Sequence, residues 1–367
     1  MVAIDRRALL AGAGAALVAS NARARAAAPD WQSISPAEAG FAPDFAARLE
    51  RFVRTDEAGN IHGVVIVRRG RLVLERYYEG FDQVRAAQHL HDLRSVTKSV
   101  IGLLYGIALS EGKAPALDAP LLAQFPQYSD LPDMAQRRRW TIRHAITMTL
   151  GLDWDEVDRR YGDPRNGHTA MEASPDLYRY VLEQPIVAVA GERWTYCSGA
   201  TTLLGKILEN GTKQPLHDYA RAVLFDPLGI GPTEWLLGFG GGERDFAGGL
   251  RMRPRDLARI GQMLLDGGKA GERQIVPAAW LADSFKPAAK VNDRRQYGYH
   301  WFVGNLPYAG PDGQRQARWI AAAGYGGRRL IVFPELELVA VITAGNYNPG
   351  MRASEDLILE LVLPSLQ

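Results

Sequence analysis

Arg94-Ser95-Val96-Thr97-Lys98-Ser99-Val100-Ile101-Gly102-Leu103-Leu104-Tyr105-Gly106-Ile107-Ala108-Leu109-Ser110 is the stretch on which the reading of this 367-residue chain turns. From Ser99 to Ser110 it carries no charge. Apolar residues fall on nearly every side of a 3.6-residue period, so the run predicts a buried helix. Gly102 and Gly106 would let neighbouring elements come close. Ser95 then stands at the helix N-terminus, with Lys98 one turn on and on the same face, because residues i and i+3 are neighbours. A lysine opening an apolar helix costs stability unless it is paired. Burial disfavours its charged form, so it can serve as a base. A serine hydroxyl needs such a base before it attacks a carbonyl, and the helix N-terminus offers unpaired N–H groups to an oxyanion. The bland alternative is a surface lysine on a first turn, with Ser95 as N-cap. The spacing alone decides little: 12 serines and 7 lysines in this length give about 0.2 Ser-x-x-Lys pairs by chance.

Two further motifs and the flanking pattern add weight. Trp194-Thr-Tyr196-Cys197-Ser198-Gly199 precedes an apolar helix from Ala200 to Leu208. Tyr196 could place a phenol near Lys98, whose charge would favour phenolate as a general base; taken alone, it reads as a core tyrosine with Ser198 capping the helix. Cys197, the single cysteine, reads as a small buried packing residue. Ile320-Ala-Ala-Ala-Gly324-Tyr-Gly-Gly327 is a Gly-rich entry to a strand, where a backbone N–H can approach a substrate closely. Strands are expected at 64–67 and 72–74, around a Gly turn. Further ones are expected at Tyr297–Val303, Leu330–Phe333 and Leu338–Ala344, before a closing helix at 353–363. Between roughly 115 and 295 the period is helical, at 176–182, 201–208 and 255–265. Strands at both ends and helices between give an α+β architecture, an antiparallel sheet built from the two termini with a mostly helical middle region.

Composition excludes other classes. The chain is 47% hydrophobic and 23% charged, with a net charge of +2, which is ordinary for a globular protein and no nucleic-acid footprint. Seven histidines show no metal spacing, so neither a metal nor an organic cofactor is expected. Asp153-Trp-Asp-Glu156 reads by default as a solvated turn, with part of the cleft rim as the alternative. No G-x-S-x-G elbow is present. Residues 1–28 read as an export signal, with paired Arg6-Arg7, an uncharged run from Leu9 to Ala19 and an Ala-rich end. They hold four arginines and one aspartate, so residues 29–367 carry a formal −1. The expectation is an exported periplasmic or secreted domain over 29–367, with no stable membrane insertion once the signal is cut and with its oligomeric state open.

In combination, Leu93-Arg-Ser-Val-Thr-Lys-Ser99, Thr147-Met-Thr-Leu-Gly-Leu-Asp-Trp154, Arg193-Trp-Thr-Tyr-Cys-Ser198, Gly248-Gly-Leu-Arg-Met-Arg-Pro-Arg-Asp-Leu-Ala258 and Gly324-Tyr-Gly-Gly327 resemble the serine β-lactamase and penicillin-binding superfamily. The resemblance is to its class C-like branch of esterases, D-aminopeptidases and 6-aminohexanoate-dimer hydrolases, and it runs from about Ser35 to the end. It implies that Ser95 is the acylated nucleophile and that Lys98 and Tyr196 share the proton work. It places Ser198 where many members have Asn, touching Lys98 or the substrate amide. The oxyanion would sit on the N–H groups of Ser95 and of Tyr325, after Gly324, on a Gly-containing edge strand. Tyr161 and Asn166 fall in a loop that lines the groove in this fold. Two departures stand out. Ala322-Ala323-Gly324 replaces a motif that usually opens with Lys or His, and Tyr-Cys-Ser replaces Tyr-x-Asn. Both point away from efficient β-lactam hydrolysis and toward an ester or amide of a less anionic small molecule. The rival class is a ligand-binding relative that kept the fold and lost turnover.

Overall fold

The computed structural model describes residues 30–78, 87–238, 242–310, 313–347 and 353–367; residues 1–28, expected to be an export signal, lie outside them. The first strands are β1 (Ile61–Arg68) and β2 (Arg71–Tyr77), joined where Arg69 and Gly70 both take positive φ. The other six come from the C-terminal part: β3 (Ala289–Lys290), β4 (Gln296–Tyr297), β5 (Phe302–Gly310), β6 (Gly313–Gly324), β7 (Arg328–Phe333) and β8 (Leu338–Ala344). The sheet order is β2-β1-β8-β7-β6-β5-β4-β3, so the two chain ends meet where β1 pairs antiparallel with β8. The expected strand at 297–303 is broken in two, because Gly298 to Trp301 form a turn with His300 at φ 61. The strand ending at Gly324 is interior, between β5 and β7, and not at an edge.

Alternation along β8 shows how the sheet divides the core. Leu338, Ala340 and Ile342 point to the back, among Phe41, Phe45, Leu49, Leu357 and Leu361 from the terminal segments. Val339 and Val341 point to the front, toward the helical region. All seven β8 residues are buried, contributing on the order of 10 kcal/mol of apolar transfer before chain entropy is counted. The back is covered by α1 (Phe45–Val53) and by helical turns over Ala353–Asp356 and Leu357–Val362. On the front lie α2 (Val96–Ser110), α3 (Gly167–Ala173), α4 (Ser198–Thr212) and α5 (Pro254–Leu265). In α2 every residue from Val96 to Ala108 is buried. Its glycines do what their spacing suggested: a Cβ on Gly106 would lie 2.2 Å from the Trp280 ring, and one on Gly102 2.9 Å from the Tyr299 carbonyl.

Candidate active site

Ser95 begins α2 in helical backbone geometry, and its side chain makes no capping bond. Its hydroxyl instead accepts from Lys98 Nζ at 2.9 Å. Lys98 is 2% exposed, and also donates to the Ala247 carbonyl at 3.0 Å. The Lys98 ammonium lies 5.1 Å from the centre of the Tyr196 ring, and the phenol hydrogen-bonds both Ser95 and Lys98. These bonds remove the reading of Lys98 as a surface lysine and of Ser95 as a mere cap. Burial raises the Tyr196 pKa, against the opposing pull of Lys98, and the charge of Glu156 raises it further. Desolvation therefore outweighs the pull of Lys98 on the phenol.

The backbone around Ser95 is held tightly. Arg94, just before Ser95, has φ 51, a left-handed conformation that costs a non-glycine residue about 1–2 kcal/mol. A Cβ on Gly324 would lie 2.4 Å from the Leu93 carbonyl. Glycine is what lets the end of β6 touch the turn that presents Ser95. Ala322, at the place of the usual cation, is buried in the front core.

Glu156, taken above as part of a solvated turn, is 2% exposed. Its carboxylate accepts from the Ser198 N–H at 2.7 Å, the Ser198 hydroxyl at 2.6 Å, Trp154 Nε1 at 2.6 Å and the Tyr161 hydroxyl at 3.2 Å. Four donors replace its hydration shell, which is what a buried carboxylate requires. The Ser198 hydroxyl is thus directed to Glu156 and not to Lys98. The start of α4 is capped by Cys197, whose buried Sγ accepts from the Ala200 N–H at 3.4 Å. His300 ties the two helices from below. Its carbonyl accepts from Ser99 Oγ at 2.6 Å, and its Nε2 lies 3.1 Å from Thr201 Oγ1.

Ser95, Lys98 and Ser198 open onto a front pocket of about 830 Å³. Tyr161 and Tyr325 also line it, their ring centres 4.8 Å apart, and Tyr347 extends the row 5.2 Å beyond Tyr325. Asn166 is not brought there. It is fully buried and caps α3, accepting from the Thr169 N–H and donating to the Arg159 carbonyl. The far wall holds His168, Glu172 and Asp245. Their ligand atoms lie within 4.8 Å of one another, the group among the described residues that could hold a metal ion. His168 and Glu172 are four apart on α3, so a helical-face reading of 168–172 could have found that pair; Asp245 comes from a distant loop and gave no signal.

The fold and this cluster define a class, and comparison agrees: the chain belongs to the Beta-lactamase family, whose model matches residues 49–363. It is 30% identical over 260 residues to the 6-aminohexanoate-dimer hydrolase of Paenarthrobacter ureafaciens, covering 65% of this chain and 59% of that protein. It is 27% identical over 181 residues to esterase EstB of Burkholderia gladioli, covering 46% of each. The chain thus spans about half to three-fifths of these relatives' lengths. In fold it is similar to a beta-lactamase/D-alanine carboxypeptidase from Pseudomonas syringae, with TM-score 0.64, 16% identity and coverage of 86% of this chain and 98% of the other. No helix among the described residues is long and apolar enough to cross a membrane.

Proposed function

We propose that this chain is a serine hydrolase that forms an acyl-enzyme on Ser95 and cleaves an ester or amide bond of a small molecule. The observation that carries the reading is the buried Lys98 ammonium 2.9 Å from Ser95 Oγ, with the Tyr196 phenol bonded to both. Ser95 Oγ attacks the substrate carbonyl while its proton passes to the Lys98–Tyr196 pair, which acts as base in the form that holds one proton fewer than ammonium plus phenol. The oxyanion is held by the N–H groups of Ser95 and Tyr325. As the tetrahedral species collapses, the bond to the leaving group breaks and that group receives a proton from Tyr196. Water attacks the ester to Ser95 by the same proton path, releasing the acid and restoring the hydroxyl.

The pocket supports the choice of substrate. Glu172 and Asp245 line the pocket and offset the charges of Arg94 and Lys98, and no cation occupies the Ala322 position, so the usual anchor for a substrate carboxylate is missing. An ester or amide that carries an amino group and no free carboxylate fits better. The export segment supports a periplasmic or secreted location.

Labelling with a fluorophosphonate probe tests the chemistry. Wild type is expected to be labelled and to hydrolyse short p-nitrophenyl esters, with both lost in Ser95→Ala. No labelling and no turnover would leave the ligand-binding relative as the better reading. Within a substrate panel, chains ending in an amine should be cleaved faster than equal chains ending in a carboxylate. Rapid nitrocefin turnover would overturn the substrate reading.

A further inference from the structure

Behind the catalytic strand, on the opposite face of the sheet, lies a second cavity of about 160 Å³. It is well below the usual 300–1,000 Å³ of sites for drug-sized ligands, so it suits a slim chain. Its walls are apolar, with Phe302, Ala321 and Ile331 from the sheet and Ile358 and Leu359 from the C-terminal helical turns. Trp319 also lines it. This side chain is 7% exposed, and its indole N–H is buried without a hydrogen-bond partner among the described residues. A buried donor left unpaired is a standing cost, and a small shift of the indole would let an acceptor oxygen in the cavity remove it.

Charge fixes the character of that acceptor. The lining includes the guanidiniums of Arg294, Arg295 and Arg329 and a single carboxylate, Glu355. Glu355 already bonds Arg329 at 2.6 Å and lies 3.9 Å from Arg295, so these four side chains leave a formal surplus of two positive charges. Arginine suits carboxylate recognition because its planar fork matches the anion.

We propose that this cavity binds a medium-chain linear carboxylate, with the chain against the apolar walls and the carboxylate among the arginines and the Trp319 N–H. The site is separate from the pocket at Ser95 and does not depend on the acyl-enzyme reading. Arg329 also donates to the Gly324 carbonyl at 3.1 Å, and Ala323 lines the cavity. The occupant therefore bears on the peptide that leads to Tyr325, the place of an effector.

Calorimetric titration of the wild-type protein with sodium octanoate tests the proposal, with butyrate and octan-1-ol as comparators. One equivalent of octanoate should bind, at least ~10-fold more tightly than either comparator, because each lacks one of the two recognised parts. Ala321→Phe fills the cavity, and the double variant Arg294→Ala/Arg295→Ala removes exposed charge without touching the core. Each should weaken octanoate at least ~10-fold. Should Ala321→Phe fail to fold, the double variant decides. Absence of binding overturns the site. So does binding that survives unchanged in the folded variants, which would place octanoate in the front pocket.

Discussion

Two helices start at the Ser95–Lys98–Tyr196 cluster, pack against each other, and treat their N-termini in opposite ways. At the start of α4 a buried carboxylate, Glu156, accepts the Ser198 N–H, which is where the helix dipole favours an anion. At the start of α2 a buried cation, Lys98, occupies the first turn, where the same dipole opposes it. One terminus is built for stability; the other accepts a loss of stability to hold an ammonium against a hydroxyl. Tyr196 lies under the influence of both, its pKa pulled down by Lys98 and pushed up by Glu156. Local instability at a functional group is expected when the surrounding structure over-determines it, and here α2 is enclosed by the front core along its length.

The sharpest way to break this comparison is Lys98→Met, which keeps the volume and removes the charge. Hydrolysis of a p-nitrophenyl ester should fall by roughly 10²–10⁴-fold, the usual scale for a positioned acid–base group. Melting temperature should hold or rise, since a cation leaves an apolar helix start. A drop in melting temperature with activity retained would make Lys98 a structural group and end the contrast.

Glu156 should give the mirror image. Glu156→Ala leaves the Ser198 N–H, the Ser198 hydroxyl, Trp154 and Tyr161 without their shared acceptor, and each unpaired buried donor costs about 1–3 kcal/mol before water enters. A net loss near 3 kcal/mol in denaturant unfolding is expected. Glu156→Gln, which keeps one acceptor oxygen, should lose about half as much. If Glu156→Ala unfolds at the wild-type midpoint, the carboxylate is not what holds the start of α4.

These residues differ in how far they could be read in advance. Ser95 and Lys98 were legible because their relation is local, three residues apart on a helix whose lack of charge marks it as buried. The meeting of the chain ends was legible too, since β1, β7 and β8 each contain a continuous apolar run, at 64–67, 330–333 and 338–342. Glu156 was not legible. Its partner Ser198 is 42 residues away, and a short acidic stretch beside a tryptophan has the composition of a solvated turn. The β5–β6 hairpin escaped for another reason. Gly313 to Gln316 are all exposed, and in β5 Asn305, Pro307 and Ala309 are exposed, with Leu306 and Tyr308 the large side chains packed on the back core, so the apolar alternation is too short and too broken by Gly and Pro to mark a strand. The upward shift of the Tyr196 pKa also needed the fold, because the sequence supplies the neighbouring cation but not the depth of burial that opposes it.

The smallest expected effect concerns the residue that joins the two helices. Burial, then the charge of Lys98, lowers the pKa of His300 to about 3, against an ordinary value near 6.5. A depressed folded-state pKa means that the unfolded chain takes up the proton first. Stability from this group is therefore fully present above about pH 6.5 and is lost as the pH falls toward 3, on the order of 1 kcal/mol per pH unit. His91, lowered to about 3, and His62, lowered to about 4, act in the same direction. Unfolding free energy measured at steps from pH 7 to pH 4 should decline throughout that range. His300→Asn keeps a residue that tolerates the positive φ at this position but does not titrate. It should lower stability at pH 7, where the bond to Thr201 is lost, yet make the decline shallower by about one proton. Lys98→Met should also make it shallower, since removing that charge lets the His300 pKa rise toward 6.5. An unchanged slope in both variants would mean that His300 does not sense Lys98, and that the two helix starts are not electrostatically joined through it.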